Sequence, residues 1–296
     1  DFIYNPSITR EIKRFLPDIV IIAGSWTYPT VWKLLCSRRN NNVRYFFWVE
    51  SHERRAMKAK SSNKCVSAFK KYLYMKFDGY CLPGMYAEEA MDHFVGKHGQ
   101  RLRLPNLVDD VSYQHAISKR KDTYELRLKY GIPAKKRVFF CPARLLKLKG
   151  LDLFLKSAGK VKGISKACFL LAGEGPMKKE LQDIADKENL DVHFMGYCNQ
   201  DTVIEFYALS DFFFLPSLQD CNPLSAIEAA FAGLPLCVSI YTGNSPELIQ
   251  PYKNGVVFDI LDTEEVQACI YFLLNASEEW VSNAGRESLA IAQNSF

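Results

Sequence analysis

The stretch that most constrains this chain starts as an unbroken apolar run, Phe212-Phe213-Phe214-Leu215. It ends inside a helix-forming segment, Asp220-Cys221-Asn222-Pro223-Leu224-Ser225-Ala226-Ile227-Glu228, which stops at Gly233. A strand with no polar side has to sit in a sheet covered on both faces. One acid, Asp220, stands on the loop leaving that strand, and a second, Glu228, stands inside the helix that follows. Asn222 is suited to cap the helix and Pro223 to be its first residue. The free N–H groups and positive dipole end of a helix N-terminus suit a phosphate. Two carboxylates beside such a site can hold the hydroxyls of a sugar and a ribose while backbone amides hold a diphosphate. On spacing alone, a Pro-started helix with two solvated acids remains an equal alternative.

Upstream segments share the design. Val138-Phe139-Phe140-Cys141 reads as a buried strand and is followed by Pro142 to Gly150, which carries Arg144 and Lys149. Both bases therefore lie on a loop at the mouth of a parallel sheet, where open α/β sheets bind ligands. A second strand, Cys168 to Ala172, ends in Gly173-Glu174-Gly175-Pro176. A third, Val192 to Tyr197, leads into a helix from Asn199 to Leu209.

Together these segments resemble the donor-binding domain of the family 4 retaining glycosyltransferases, which have the GT-B fold. That family shows Gly-Arg-Leu followed by Lys-Gly, then Gly-x-Gly-Pro, then Phe-x-Gly, then an acid, seven residues and Glu. All four elements occur here in order, with Pro142-Ala143-Arg144-Leu145 standing for the first. The resemblance continues through Glu228-Ala229 to Gly233-Leu234-Pro235, Thr242 to Glu247 and Asn254 to Phe258. In the first half, Leu104-Pro105-Asn106-Leu107-Val108-Asp109 is similar to the family's Ile-Pro-Asn-Gly-Val-Asp, with Leu107 in place of glycine. The resemblance covers most of the chain, densely in the second half and thinly in the first.

The resemblance implies an α/β fold of GT-B type, two Rossmann-like domains facing a cleft, and a nucleotide-sugar donor. It implies retaining transfer without a metal, so Arg144 and Lys149 stand where charge builds on the departing diphosphate. Glu228 is expected on the ribose hydroxyls and Asp220 on the donor sugar. The family usually has Glu at the latter position, and Asp is shorter by roughly 1.5 Å. Gly173, Glu174, Gly175, Gly196 and Tyr197 are expected to border the nucleotide. Asn222, Pro223, Leu224 and Ser225 form the helix start, with Leu224 and Ser225 as amide donors because Pro223 has no N–H. From the first domain Glu50, Ser51 and His52 follow a strand. His52 is the candidate for the donor sugar or reacting centre, beside the plainer reading of a structural histidine.

Length sets the organisation. At 296 residues the chain suits two domains. The expected division is 1–110 as an incomplete acceptor-side domain, 111–136 as an interdomain hinge and 137–296 as the nucleotide-sugar domain. The opening strand with its glycine-rich turn and the last crossing helix have no counterpart, so a fragment of a longer protein is expected. Strands are predicted at 19–23, 43–49, 79–82 and 101–104, alternating with helices at 27–37, 64–76 and 85–95, and two helices around 263–274 and 278–293 close the chain.

Nine cysteines without paired spacing read as reduced thiols, and no CxxC or HExxH pattern points to zinc. No run is long enough to span a membrane and no signal peptide is visible, which together suggest a cytoplasmic location, with or without peripheral membrane contact. The expected partners are a nucleotide sugar and a glycan or lipid-linked acceptor, with no cofactor and no nucleic acid. The 64–76 helix carries Lys64, Lys70, Lys71 and Lys76 and an apolar stripe of Val66, Phe69, Tyr72 and Leu73. It reads either as a core-packed helix with a solvated basic face or as a dock for anionic lipid. A nicotinamide dehydrogenase is excluded by the lack of GxGxxG. A GT-B sugar-nucleotide epimerase and a non-catalytic glycosyltransferase-like subunit remain as alternatives.

Overall fold

The computed structural model describes residues 4–37, 42–50 and 64–296. The chain divides into two compact units that meet in sequence at Pro105 and Asn106. No helix among the described residues is long and apolar enough to cross a membrane.

The first unit runs α1 (Ile8–Phe15), β1 (Ile19–Ala23), α2 (Pro29–Cys36), β2 (Arg44–Trp48), α3 (Lys64–Tyr74), β3 (Gly79–Leu82), α4 (Met85–Val95) and β4 (Gln100–Arg103). Its four strands pair in parallel in chain order, with Phe46 and Phe47 of β2 opposite Gly79 and Tyr80 of β3. Phe47, Tyr74, Phe77 and Tyr80 are buried and lie ring against ring, which accounts for a core in so small a sheet.

Helix α3 is turned differently from the stripe predicted for it. Leu73 and Tyr74 are its buried residues, and Tyr74 packs on Phe47. Val66, Phe69 and Tyr72 are 45%, 40% and 55% exposed, so the stripe expected to face the core faces out along most of its length. The core-packed reading holds at Leu73, and Phe69 meets Trp32 edge-on at 5.4 Å, but it is corrected at Val66 and Tyr72.

The second unit holds α5 (Asp110–Lys119), α6 (Thr123–Lys129), β5 (Arg137–Pro142), α7 (Leu151–Ala158), β6 (Ala167–Ala172), α8 (Lys178–Lys187), β7 (Val192–Gly196) and α9 (Gln200–Leu209). It continues through β8 (Phe212–Leu215), α10 (Leu224–Phe231), β9 (Leu236–Ser239), α11 (Ser245–Leu248), β10 (Gly255–Phe258), α12 (Thr263–Leu274) and α13 (Glu278–Ser295). Its six strands are all parallel, in the order β10-β9-β8-β5-β6-β7. Counted within the unit this is the doubly wound order 3-2-1-4-5-6. The chain reverses its direction of travel between β5 and β8, where Phe139 pairs with Phe212 and Phe140 with Phe213.

The centre of that sheet is phenylalanine on both faces. Phe139, Phe140, Phe212, Phe213 and Phe214 are fully buried. Phe154 of α7 stacks on Phe214 at 4.7 Å on one side, and Phe206 of α9 meets Phe140 edge-on at 5.6 Å on the other. Each such pair is worth about 0.5–1.5 kcal/mol beyond its buried area.

The segment expected as a hinge, 111–136, contains α5 and α6, which pack on α9. Asp109 caps α5 by accepting from the Ser112 N–H, as its position before the helix favours. Arg127 of α6 is buried and donates to the Leu209 carbonyl at 2.9 and 3.0 Å, to the carbonyls of Ala134 and Lys136, and to Asp211 at 2.9 Å. Asp211 in turn accepts from the Val138 N–H at the start of β5.

Candidate functional site

The two loops that flank the reversal point bring one predicted base, Lys149, to one predicted acid, Asp220. Lys149 follows β5 in a short turn of helix, Lys147–Lys149, and Asp220 follows β8. The Lys149 ammonium donates to the Asp220 carboxylate, and both side chains are mostly buried. Gly150 makes this approach possible. It adopts φ +64, and a Cβ there would stand 2.2 Å from the Pro216 carbonyl oxygen on the other loop. Arg144 is exposed and, among the described residues, has no carboxylate within ion-pair distance.

The Asp220 loop is fastened to the segment after β9. Asp220 donates its N–H to the Tyr241 carbonyl at 3.1 Å, and its own carbonyl accepts from Gly243 at 2.8 Å. The Asn244 amide donates to the Pro223 carbonyl at 2.9 Å. The acid is therefore held by backbone and not only by its own side chain.

Helix α10 begins one residue later than expected. Pro223 has φ −67 and ψ 118, an extended backbone, and stands as the cap, while Leu224 is the first helical residue. The expected cap, Asn222, makes no capping bond, because a proline between it and the helix holds its side chain away from the first turn. Both amide atoms of Asn222 are instead buried without a hydrogen-bond partner, as is Thr242 Oγ1. Buried polar atoms in this state are rare in folded proteins. The first intrahelical donor is Ala226, to Pro223, so the N–H groups of Leu224 and Ser225 precede the helical ladder.

Glu228 lies one turn into α10 between two tyrosines that motif reading did not single out. The Tyr207 hydroxyl lies 3.0 Å from Glu228 Oε2 and 3.1 Å from the Ser225 carbonyl, and donates to them. Tyr113, from α5, hydrogen-bonds the same carboxyl and meets Tyr207 edge-on at 5.8 Å. Burial pushes the Glu228 carboxyl above the ordinary range, and the two hydroxyls hold it partway back. The same burial and the same carboxylate push Tyr113 and Tyr207 up, so both stay protonated donors. Helical spacing offered no hint of Tyr113, which falls in the segment read as a hinge.

The Gly173-Glu174-Gly175-Pro176 turn lies against the Arg144 loop. Leu145 donates to the Glu174 carbonyl at 3.0 Å, and Met177 donates to the Leu145 carbonyl at 3.1 Å. A Cβ on Gly173 would come within 2.1 Å of the Ala143 oxygen, and Gly173 has φ +145, so only glycine lets these two turns touch. Gly173 also donates to the Gly196 carbonyl at 2.7 Å, which draws the β7 turn into the same group. Glu174 is exposed with Lys178 at 3.2 Å, and Tyr197 is 87% exposed. His52 and Ser51 lie outside the described residues. A cavity of about 600 Å³ in the first unit, lined from α1, α2, β2 and the segments beside them, contains none of these residues. The loops that carry Arg144, Lys149, Glu174, Tyr197 and Asp220 all leave the carboxyl ends of parallel strands, where a sheet of this order has a crevice.

The chain is 31% identical over 292 residues to the sulfoquinovosyl transferase of Arabidopsis thaliana, covering 96% of this chain and 55% of that protein. It is 25% identical over 198 residues to an alpha-monoglucosyldiacylglycerol synthase of Streptococcus pneumoniae, 64% of this chain and 42% of that one. The chain thus spans about half the length of these relatives. Sucrose-phosphate synthase from Thermosynechococcus elongatus superposes with a TM-score of 0.79 at 17% identity, over 98% of this chain and 72% of the other. HepE from Anabaena, solved with UDP and glucose, does so at 0.77 and 15%, over 98% and 77%. These likenesses show the GT-B class of fold, with two Rossmann-like domains. Residues 122–287, which run from just before α6 into α13, match one family model. The chain belongs to the group 1 glycosyl transferases.

Proposed function

We propose that this protein transfers a sugar from a nucleoside-diphosphate sugar to a lipid-linked or glycan acceptor, with retention at the anomeric carbon and without a metal. The observation that carries this reading is the Lys149–Asp220 pair spanning the reversal point of the sheet, with the free start of α10 beside it. A diphosphate leaving group gathers negative charge as its bond to the sugar breaks. Lys149, held by Asp220, and the exposed Arg144 are cations on the β5 loop, and the Leu224 and Ser225 amides are fixed donors on α10. Groups arranged before the reaction stabilise that charge at little reorganisation cost. Glu228, set by Tyr207 and Tyr113, is the acceptor for ribose hydroxyls. Asp220 and the unpaired amide of Asn222 are the groups for the sugar ring.

Two relatives support the acceptor and donor classes. The Streptococcus pneumoniae relative is named for a glucosyldiacylglycerol product, and the HepE structure holds UDP. A lipid acceptor also gives a role to α3, where Val66, Phe69, Tyr72 and Met75 are exposed beside Lys71 and Lys76. Peripheral contact of that helix with an anionic bilayer is part of this proposal.

A thermal-shift panel of UDP, GDP and ADP sugars tests the donor class directly. Stabilisation by one base with its sugar, followed by release of the nucleoside diphosphate on adding diacylglycerol or a glycan, is the expected result. The anomeric proton coupling of the product then reads retention or inversion. No shift with any sugar nucleotide overturns the reading, and conversion of the donor sugar to an isomer without transfer supports an epimerase instead.

A further inference from the structure

Cys168, Asp191 and His193 form a second chemical cluster in the second unit. Cys168 is the second residue of β6, Asp191 precedes β7, and His193 is the second residue of β7. The parallel register pairs Phe169 with Val192 and Leu170 with His193, which sets Cys168 beside Asp191. Side chains alternate along a strand, so all three project from one face of the sheet. They stand where β6 and β7 begin. The turns that carry Gly173 and Gly196 leave the opposite ends of the same strands, so this cluster is separate from the donor crevice.

One ligating atom from each residue, a sulfur, a carboxylate oxygen and a ring nitrogen, lies within 4.8 Å of the other two. His193 Nε2 is 3.0 Å from Asp191 Oδ1. Cys168 is fully buried, while Asp191 and His193 are each about a quarter exposed. Three protein atoms thus back a position that opens to water on one side.

We propose that Cys168, Asp191 and His193 bind a zinc-type divalent cation, with water as the fourth ligand. A set of one thiolate, one imidazole and one carboxylate suits a borderline-soft metal and does not suit magnesium or calcium, which take oxygen ligands. Bonds of about 2.0–2.3 Å in a tetrahedron put neighbouring ligand atoms roughly 3.3–3.7 Å apart. The cluster reaches that geometry if its widest pair closes by about 1 Å and the His193–Asp191 pair, at 3.0 Å, parts by a few tenths. As the metal–sulfur bond forms, the Cys168 thiol proton leaves to solvent, and thiolate plus carboxylate balance the two positive charges. Lys136 Nζ lies 2.9 Å from Asp191 Oδ2, which leaves Oδ1 for the metal but makes the ammonium a competitor. Because β7 is the outer strand of its sheet, a bound cation would tie that edge to β6. Spacing did not disclose the site, since its ligands come from two strands joined only through the register.

The test uses the full chain, stripped with chelator under reducing conditions and titrated with Co²⁺ alone, then with Zn²⁺. One equivalent of Co²⁺ is expected to give tetrahedral d–d absorption with a thiolate-to-cobalt charge-transfer band, and one equivalent of Zn²⁺ to bleach both. Cys168→Ser removes the charge-transfer band, and His193→Gln weakens binding at least about tenfold. Lys136→Ala tightens binding by freeing the second oxygen of Asp191. Cys36→Ser, which removes an exposed thiol elsewhere, leaves the spectrum unchanged. Saturating Zn²⁺ raises the Tm of the wild type and not that of His193→Gln. Absence of the band at equimolar Co²⁺ overturns the proposal. So does wild-type affinity in His193→Gln, a partly exposed substitution whose folding circular dichroism verifies. Loss of the band in Cys36→Ser marks adventitious thiol capture and overturns it equally.

Discussion

Lys149 and Asp220 are 71 positions apart in sequence and form an ion pair across the two strands between which the sheet reverses. Motif resemblance assigned one to a phosphate and the other to a sugar. Their contact means that each group is held in place by the other until a ligand arrives. Under the proposed function, a diphosphate that takes Lys149 has to draw it from Asp220.

Removal of either cation should expose its share of the chemistry. Arg144→Ala and Lys149→Ala are each expected to lower turnover at least tenfold, a cost of a few kcal/mol, with the circular dichroism unchanged. Near wild-type turnover in both variants removes these residues from the diphosphate.

The two acids should separate in calorimetry. Glu228→Gln is expected to weaken the free nucleoside diphosphate and the whole donor alike, because the ribose is common to both. Asp220→Asn is expected to weaken the sugar nucleotide tenfold or more, at about 1.5–3 kcal/mol for a hydrogen bond to a charged acceptor. The same variant should bind the diphosphate as well as wild type or better, since Lys149 is released. Equal weakening of the diphosphate by both variants contradicts the assignment.

The environment of Glu228 sets a pH dependence. Its carboxyl is held above the ordinary range by burial, so the folded state takes up a proton that the unfolded chain does not. Between the unfolded and folded values, stability therefore falls as pH rises, and it is fully relieved only below the unfolded value. Nucleotide binding, which needs the ionised acceptor, should run the other way and fade as pH falls through the raised folded value. Tyr207→Phe removes a bond that favours the carboxylate and should move this acid limb to higher pH. Glu228→Gln should abolish the limb. A limb unmoved in Tyr207→Phe, measured by calorimetry across pH, would falsify the link.

Chelator treatment should leave donor binding intact, because the crevice offers cations of its own where a metal would otherwise stand. Complete loss that Mn²⁺ restores is the contrary result. Any zinc at Cys168, Asp191 and His193 should show in the same experiment as a lower Tm and not as a lost donor.

Arg127 tests the docking of α6. Arg127→Ala leaves Asp211 with only its longer ion-pair contact to Arg137 at 3.5 Å and removes the donor to the Leu209, Ala134 and Lys136 carbonyls, and breaking a buried pair of this kind costs about 3–5 kcal/mol. Urea titration of the wild type and variant measures it, and a change below 1 kcal/mol would show that α6 is only loosely attached.

How far the sequence could be read follows from which forces act locally. β8 and β3 were placed to the residue, because a continuous apolar run has few places to go. Gly173 was legible because a turn with that close an approach to the Ala143 oxygen accepts no other residue. The start of α10 was misplaced by one residue, since proline serves as readily before a helix as inside it. Tyr113 and Tyr207 were missed because their roles depend on α5 folding back over α9 and α10. No pattern along the chain reports that return. Helix α1 was not anticipated, and the stripe on α3 was assigned to the core because apolar spacing states amphipathicity without saying which side meets the protein.

The phenylalanine-lined strand β8 has a kinetic consequence for the loop it launches. Its backbone hydrogen bonds lie between two neighbouring strands and beneath aromatic layers on both faces. Exchange of such amides with solvent deuterium waits on the opening of the whole unit, while amides at a sheet edge exchange through smaller openings. Asp220 departs five residues beyond the end of that strand and is laced to the segment after β9. Its protection should therefore follow the most slowly exchanging part of the unit, and donor affinity should persist on warming until the sheet itself gives way.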